Sequence, residues 1–382
     1  MPAQSTLSPS AHPLPLVVGQ RRLPLLNGLR AMGVLMVMVG HANLLRPIYG
    51  LEFYHGDVPV EGFLVLSGFL ITLWLLQEYD STNGISLKHF YTRRALRLWP
   101  AYFVFLLVAF LAQDFQRPGG RPWTPGVIWS AVSFVPNYYR AFMPKWDHGI
   151  VHLWSIGLEE QFYLVWPVAL IALLRRGRDV LRKGLIAAIA AAFAWRMLLW
   201  TVGVSEDYLA AAFETRCDAL AMGCLLAVWS TDPSSAQSAA RLARRPWWPM
   251  ITIALLAITL TWPDAYQVTV GITVQIILLA VVIAQLLMLH DHPLWRWLDH
   301  PVLSYLGLIS YPMYLYHHLG AAFGRQMMPG SPRWIFMIEV VATIVMGSMS
   351  YYFVERPFLR LKHRFASIRG RPVVPVPSRL AA

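Results

Sequence analysis

The sequence predicts an all-α, polytopic membrane protein with about ten transmembrane helices and both termini in the cytoplasm. Three observations predict it. Apolar residues make up 57% of the 382 and charged residues 14%, against about 25% charged in a soluble chain. Apolar runs of about twenty residues, the length that crosses a hydrocarbon core, recur along the whole chain. The basic residues gather on alternate connections: 23 of the 32 Lys and Arg fall on one side of the predicted spans and 8 on the other, with Arg196 inside a span. That is the positive-inside pattern of a protein with both ends in the cytoplasm.

Taken in order, residues 1–20 lack a basic leading region and a cleavage site, which predicts a disordered cytoplasmic tail and not a signal peptide. The predicted spans are 31–46, 59–77, 98–115, 150–174, 184–203, 215–230, 249–264, 267–289, 302–322 and 334–353. Together they form one transmembrane domain, 21–357, followed by a basic cytoplasmic tail, 358–382. The connection 116–148 is long for a loop. Its apolar stretch 127–136 is too short to span and too apolar to lie free in water. It is expected to be an interfacial or re-entrant segment on the outer side, a candidate lid or acceptor-binding element. If it spanned, every later helix would flip and the arginine asymmetry would vanish. Cys217 and Cys224 lie seven apart on one helix face, where they pack as small apolar residues and cannot bridge each other.

Several function classes are excluded. The net charge of +12 is a topology signal, so no nucleic-acid partner is expected. No Walker A or Gly-x-Gly-x-x-Gly motif is present. Ser67 stands in Leu66-Ser67-Gly68, which is not a nucleophile elbow. No metal is expected: there is no Cys/His zinc spacing, and His290-Asp291-His292 is an incomplete ligand set in a short turn.

The residues that can carry chemistry form a few constellations. Arg30 and His41 are eleven apart, almost three whole helical turns and a rise of about 16 Å. With Arg30 at the membrane surface, His41 is expected near mid-membrane, where an ionisable group is either functional or satisfied by a neighbouring helix. Arg93, Arg94 and Arg97 end the first cytoplasmic connection, with Arg93 and Arg97 on one face. Guanidinium forks suit a phosphorylated cytoplasmic substrate, and equally a collar on anionic lipid head groups. Ser155, Glu159, Phe162 and Trp166 form one stripe of the fourth span. Glu159, beside Glu160 in an apolar helix, calls for a cation or a water-filled cavity; it can pair with an arginine or raise the basicity of a histidine. Arg216-Cys217-Asp218 opens the sixth span, where Arg216 is either half of an ion pair or an acceptor contact. His317 is expected to line the same cavity as His41, and His318 to lie at the interface.

Taken together these stretches resemble the integral-membrane acyltransferase family 3, bacterial proteins that O-acylate glycans and, in some members, macrolides. The resemblance runs from Leu26 to Pro357. Arg30 to His41 is similar to the family's basic-residue, ten-spacer, histidine motif. The run from Val60-Glu61-Gly62 to Phe69-Leu70 resembles its second-helix motif, and Arg93 to Tyr102 its arginine motif. His152 to Pro167 resembles the Trp-Ser-Leu-Glu-Glu-Gln-Phe-Tyr signature, and Tyr351 to Pro357 the terminal motif. Glu61, Leu64 and Ile156 depart from the usual Asp, Phe and Leu, which weakens any transfer of acceptor specificity. The chain ends soon after the tenth span, as expected of a form without a fused extracytoplasmic hydrolase-like domain.

The resemblance implies a membrane O-acyltransferase that uses cytoplasmic acyl-CoA, usually acetyl-CoA, as donor substrate, with no permanently bound cofactor. It also implies that Arg30, His41, Arg93, Arg97 and Glu159 are functional positions. In the resulting reading, the donor phosphates dock on Arg93, Arg94 and Arg97. His41 acts as general base on a glycan or glycolipid hydroxyl, Glu159 orients His41 or balances its charge, and Arg30 anchors the donor or closes the cytoplasmic mouth. Glu61, Ser155, Arg216 and His317 are the candidate acceptor-side residues. The expected setting is the bacterial cytoplasmic (inner) membrane, with lipids as neighbours. The alternatives are a small natural product such as a macrolide as acceptor, or a secondary transporter. A transporter would usually show inverted repeats, and none is visible.

Overall fold

A backbone inside lipid has no water to bond to, so each apolar run must close its own hydrogen bonds by becoming a helix. The computed structural model describes residues 23, 25–42, 57–116, 118, 122–143 and 149–362, and no strand occurs among them. The principal helices are α1 (Leu26–His41), α2 (Asp57–Thr82), α3 (Leu87–Leu111), α4 (Pro125–Val132), α5 (Pro136–Phe142), α6 (Leu153–Leu174) and α7 (Arg178–Thr201). They continue with α8 (Phe213–Thr231), α9 (Trp248–Thr259), α10 (Ile272–Met288), α11 (Pro301–Leu308), α12 (Ser310–Met327) and α13 (Pro332–Met349). Six segments are long and apolar enough to cross a membrane: Val58–Thr82, Leu87–Leu111, Leu153–Leu174, Arg178–Thr201, Asp264–Met288 and Pro332–Leu361. The chain is an all-α, polytopic membrane protein.

Every predicted span has a helical counterpart, but four fall short of that length and hydropathy. Helices α1 and α9 have 16 and 12 residues. Helix α8 carries Glu214, Arg216 and Asp218, and α12 carries His317, His318 and Arg325. The tail 1–20, the end of the predicted span 31–46 and the tail beyond residue 362 lie outside the described residues.

Two boundaries differ from expectation. Helix α3 begins at Leu87, capped by Ser86, so Arg93, Arg94 and Arg97 project from within a helix and not from a connection. The predicted span 302–322 is broken at Ile309 into α11 and α12, which lets α12 set its own direction. The described part of 116–148 folds into α4 and α5, each opened by a proline and too short to span. Proline is favoured there because the first helical residues have no use for an amide hydrogen.

Helices α2 and α8 make the closest approach. Gly68 lies against the carbonyl of Leu220, and Gly223 against the carbonyl of Val65, where a Cβ would overlap backbone atoms. Small residues that let backbones meet are how membrane helices gain packing without a hydrophobic driving force. Helix α8 is tied to α7 by Arg196, whose guanidinium reaches Asp218 at 3.0 Å and the carbonyl of Thr269 at 3.1 Å, with both charged side chains fully buried. Cys224 is buried, Cys217 is half-buried, and both are free.

Candidate active site

Five helices converge on one polar cavity. Helix α1 contributes Arg30, α3 Arg94 and Arg97, α2 Ser67, and α6 Ser155 and Glu159, with tyrosines from α6 and α12 completing the wall. The cavity is partly open and offers about 70 Å³. Glu159 lines it, accepting from Ser67 Oγ at 2.8 Å and from the Tyr163 hydroxyl at 2.9 Å. The Arg94 guanidinium lies 4.3 Å above the Tyr163 ring. Arg97 has Arg30, Arg94 and the buried Glu355 as electrostatic neighbours.

The inner wall of this cavity leads to a second polar group. Ser155 Oγ and the Tyr314 hydroxyl are 2.8 Å apart, and Tyr314 donates to the carbonyl of His152 at 2.9 Å. Beyond them the rings of His41, His152, His317 and His318 cluster. Ring centroids are 5.1 Å apart for His41 and His317, 5.0 Å for His41 and His318, and 4.4 Å for His317 and His318. His152 lies 4.8 Å from His318, stacked, and 4.9 Å from His317. Nδ1 of His41 meets the Val37 carbonyl at 2.8 Å and Nδ1 of His317 the Tyr314 carbonyl at 2.7 Å. A carbonyl oxygen only accepts, so each Nδ1 carries a hydrogen and each neutral ring keeps its lone pair on Nε2.

The predicted residues thus divide into two groups. Arg30, Arg94, Arg97, Ser155 and Glu159 share the cavity, and His41 and His317 share the cluster. Glu159 lies in the arginine cavity, where Ser67 and Tyr163 donate to its two oxygens. Arg93 does not line the cavity: one helical step from Arg94, it turns to Glu78 at 3.1 Å. Glu61 and Arg216 form a buried pair at 3.2 Å between α2 and α8. His318, half-buried, joins the cluster. The roles of His152, His318 and Tyr314 were missed by sequence reasoning. The only signals were the histidine at the head of the Trp-Ser signature and the paired histidines of α12. His290 and Asp291 stay local, with Nε2 of His290 3.4 Å from Asp291 and its Nδ1 2.9 Å from the Leu287 carbonyl.

Outside the spans, α5 is fastened to α8. Tyr138 donates to Glu214 at 2.7 Å and Tyr208 donates to the same carboxylate. Burial, then the neighbouring Glu214, pushes the Tyr208 phenol up to about 12 and the Tyr138 phenol also upward.

Comparison with known proteins places these features in context. A family described as an acyltransferase domain matches residues 23–352. The chain is 29% identical over 381 residues to a Staphylococcus aureus (strain COL) protein that carries the provisional name O-acetyltransferase, covering 92% of this chain and 59% of that one. It is 27% identical over 369 residues to the peptidoglycan O-acetyltransferase OatA of Listeria monocytogenes serovar 1/2a, covering 88% and 56%. Against the O-acetyltransferase OatA of Staphylococcus aureus (strain NCTC 8325) it is 27% identical over 356 residues, covering 88% and 57%. The chain thus spans less than three fifths of the length of these relatives. No solved structure matches it.

Proposed function

The chain belongs to acyltransferase family 3, and on that premise we propose that it moves an acetyl group from cytoplasmic acetyl-CoA to a hydroxyl of a cell-envelope glycan or glycolipid. The observation that carries this reading is the arrangement of the two polar groups. A guanidinium-lined cavity ends on Ser155 and Tyr314, and those two side chains back directly onto the histidines. Guanidinium groups bind phosphate oxygens, so the donor enters on Arg94 and Arg97 with Arg30 at the inner end. Glu159 balances the arginines and fixes Tyr163.

His41 ends α1 and is exposed, which suits a base that meets an acceptor arriving from the far side. Its Nε2 takes the proton of the acceptor hydroxyl, the oxygen attacks the thioester carbonyl, and the carbon–sulfur bond breaks. The proton passes to the leaving sulfur, so CoA and the O-acetyl ester are the products. A glycan acceptor is drawn from the named activity of the Listeria relative, and the bacterial cytoplasmic membrane is where such an acceptor and cytoplasmic acetyl-CoA meet.

The test is acetyl-CoA binding and CoA release by detergent-purified protein. Wild type is expected to bind saturably and Arg94→Ala/Arg97→Ala to lose at least tenfold in affinity. His41→Ala is expected to bind the donor and elute as folded protein but to lose transfer by at least a hundredfold. Folded wild type that binds no acetyl-CoA overturns the choice of donor. Near-normal turnover by His41→Ala overturns the base.

A further inference from the structure

We infer that His41, His317 and His318 form a binding site for one divalent transition-metal ion of the zinc type. One nitrogen from each ring lies within 4.8 Å of those of the other two. An ion bonded to imidazoles at 2.0–2.1 Å with tetrahedral angles holds its nitrogens about 3.4 Å apart and its ring centroids about 5 Å apart. The observed centroid separations of 5.1, 5.0 and 4.4 Å already match that pattern, and the nitrogens need only a small rotation of the rings to close on the ion.

A second observation points to a cation independently of the spacing. Nε2 of His317 and Nε2 of His318 are buried with no hydrogen-bond partner among the described residues, and so is Nδ1 of His152. His41 and His317 direct their Nδ1 hydrogens to backbone carbonyls. His152 does the same from Nε2 to Leu315 at 3.1 Å. A metal-binding histidine is held in this way, with its second nitrogen donating to a carbonyl so that the first presents a lone pair. The buried lone pairs of His317 and His318 without a donor are costly, and a cation satisfies both together. His152, stacked on His318 with 14° between the rings, holds that ring in plane. His41 is the exposed member and gives the ion its way in. Imidazole donors without carboxylate or thiolate favour zinc, copper or nickel over magnesium or calcium. Three protein ligands leave a fourth position open for an oxygen.

The site does not depend on the acyl-transfer reading, because an ion binds with neither donor nor acceptor present. It does bear on that reading: a nitrogen that holds a metal cannot also take a proton. With His41 as base, bound zinc therefore silences transfer.

The experiment uses the full chain without a polyhistidine tag, purified in detergent, stripped with chelator, titrated with Zn²⁺ and desalted for elemental analysis. Co²⁺ serves as a second probe, since its visible absorption reports tetrahedral nitrogen ligation. The expected result is one equivalent of zinc per chain, with at least tenfold weaker binding in His317→Ala/His318→Ala and in His41→Ala. The last variant sits at an exposed helix end and tests the site without disturbing a buried one. Arg94→Ala/Arg97→Ala is expected to bind zinc as wild type does. Wild type that retains no more zinc than the double histidine variant, while eluting as folded protein, overturns the site and leaves the base role of His41 standing. A zinc-loaded chain that is active while the stripped chain is not overturns the base role and leaves the site standing.

Discussion

Three arginines leave helix α3 within five residues, and two of them reach the cavity. Arg93 instead closes on Glu78 at 3.1 Å, and Glu78 also accepts from the Ser86 amide at 2.9 Å at the helix start. Substituting the three separately therefore separates binding from folding. Arg93→Ala is expected to keep its acetyl-CoA affinity within about twofold and to lose about 1 kcal/mol of stability, the scale of one hydrogen bond. Arg97→Ala is expected to do the reverse. Parallel binding isotherms and detergent melting curves check both, and an equal loss of affinity in the two variants would refute the division. At this scale the sequence showed which residue types were unusual in an apolar chain, and Arg30, His41, Glu159 and His317 all emerged from it. It did not show where each side chain turns. The i, i+4 rule paired Arg93 with Arg97, whereas the cavity is lined by Arg94 and Arg97, three apart, and Arg93 turns to Glu78.

Among the elements, α2 and α8 hold the site from behind. Their backbones meet at Gly68 and Gly223, which sets the height of Ser67 against Glu159 and of Glu61 against Arg216. Gly223→Leu is expected to push the helices apart and to cost about 1–3 kcal/mol, the range for overpacking a tight interior. A lowered melting temperature together with a weakened Arg94/Arg97 donor site would carry the prediction, and an unchanged melting temperature would refute it. Helix existence was legible from hydropathy and length, while helix ends were less so. Ile309 breaks a stretch that reads as one apolar run, and only the break gives α12 the direction that brings Tyr314, His317 and His318 to His152. The cap at Ser86 likewise lies well before the apolar run that defines α3 in the sequence.

For the molecule as a whole, the distribution of basic residues leads to a topology that can be tested. Lys88 at the start of α3 is expected on the cytoplasmic side and Ser133 after α4 on the outer side, and both are exposed. On intact cells an impermeant maleimide is expected to label Ser133→Cys and not Lys88→Cys, with both labelled after lysis. The opposite pattern would invert the reading of where the donor enters. The sequence by itself determined that the chain lives in a membrane, that it is helical and that it falls in an acyltransferase family. It could do so because hydrophobicity, charge bias and local motifs are properties of neighbouring residues. Only the tertiary structure decided which charges share a space. Glu159 shares a cavity with the arginines, Glu61 pairs with Arg216, and His41 clusters with three histidines from 111 to 277 positions away. Those pairings come from helix packing and from the cost of leaving a buried polar group alone, and no spacing along the chain encodes them.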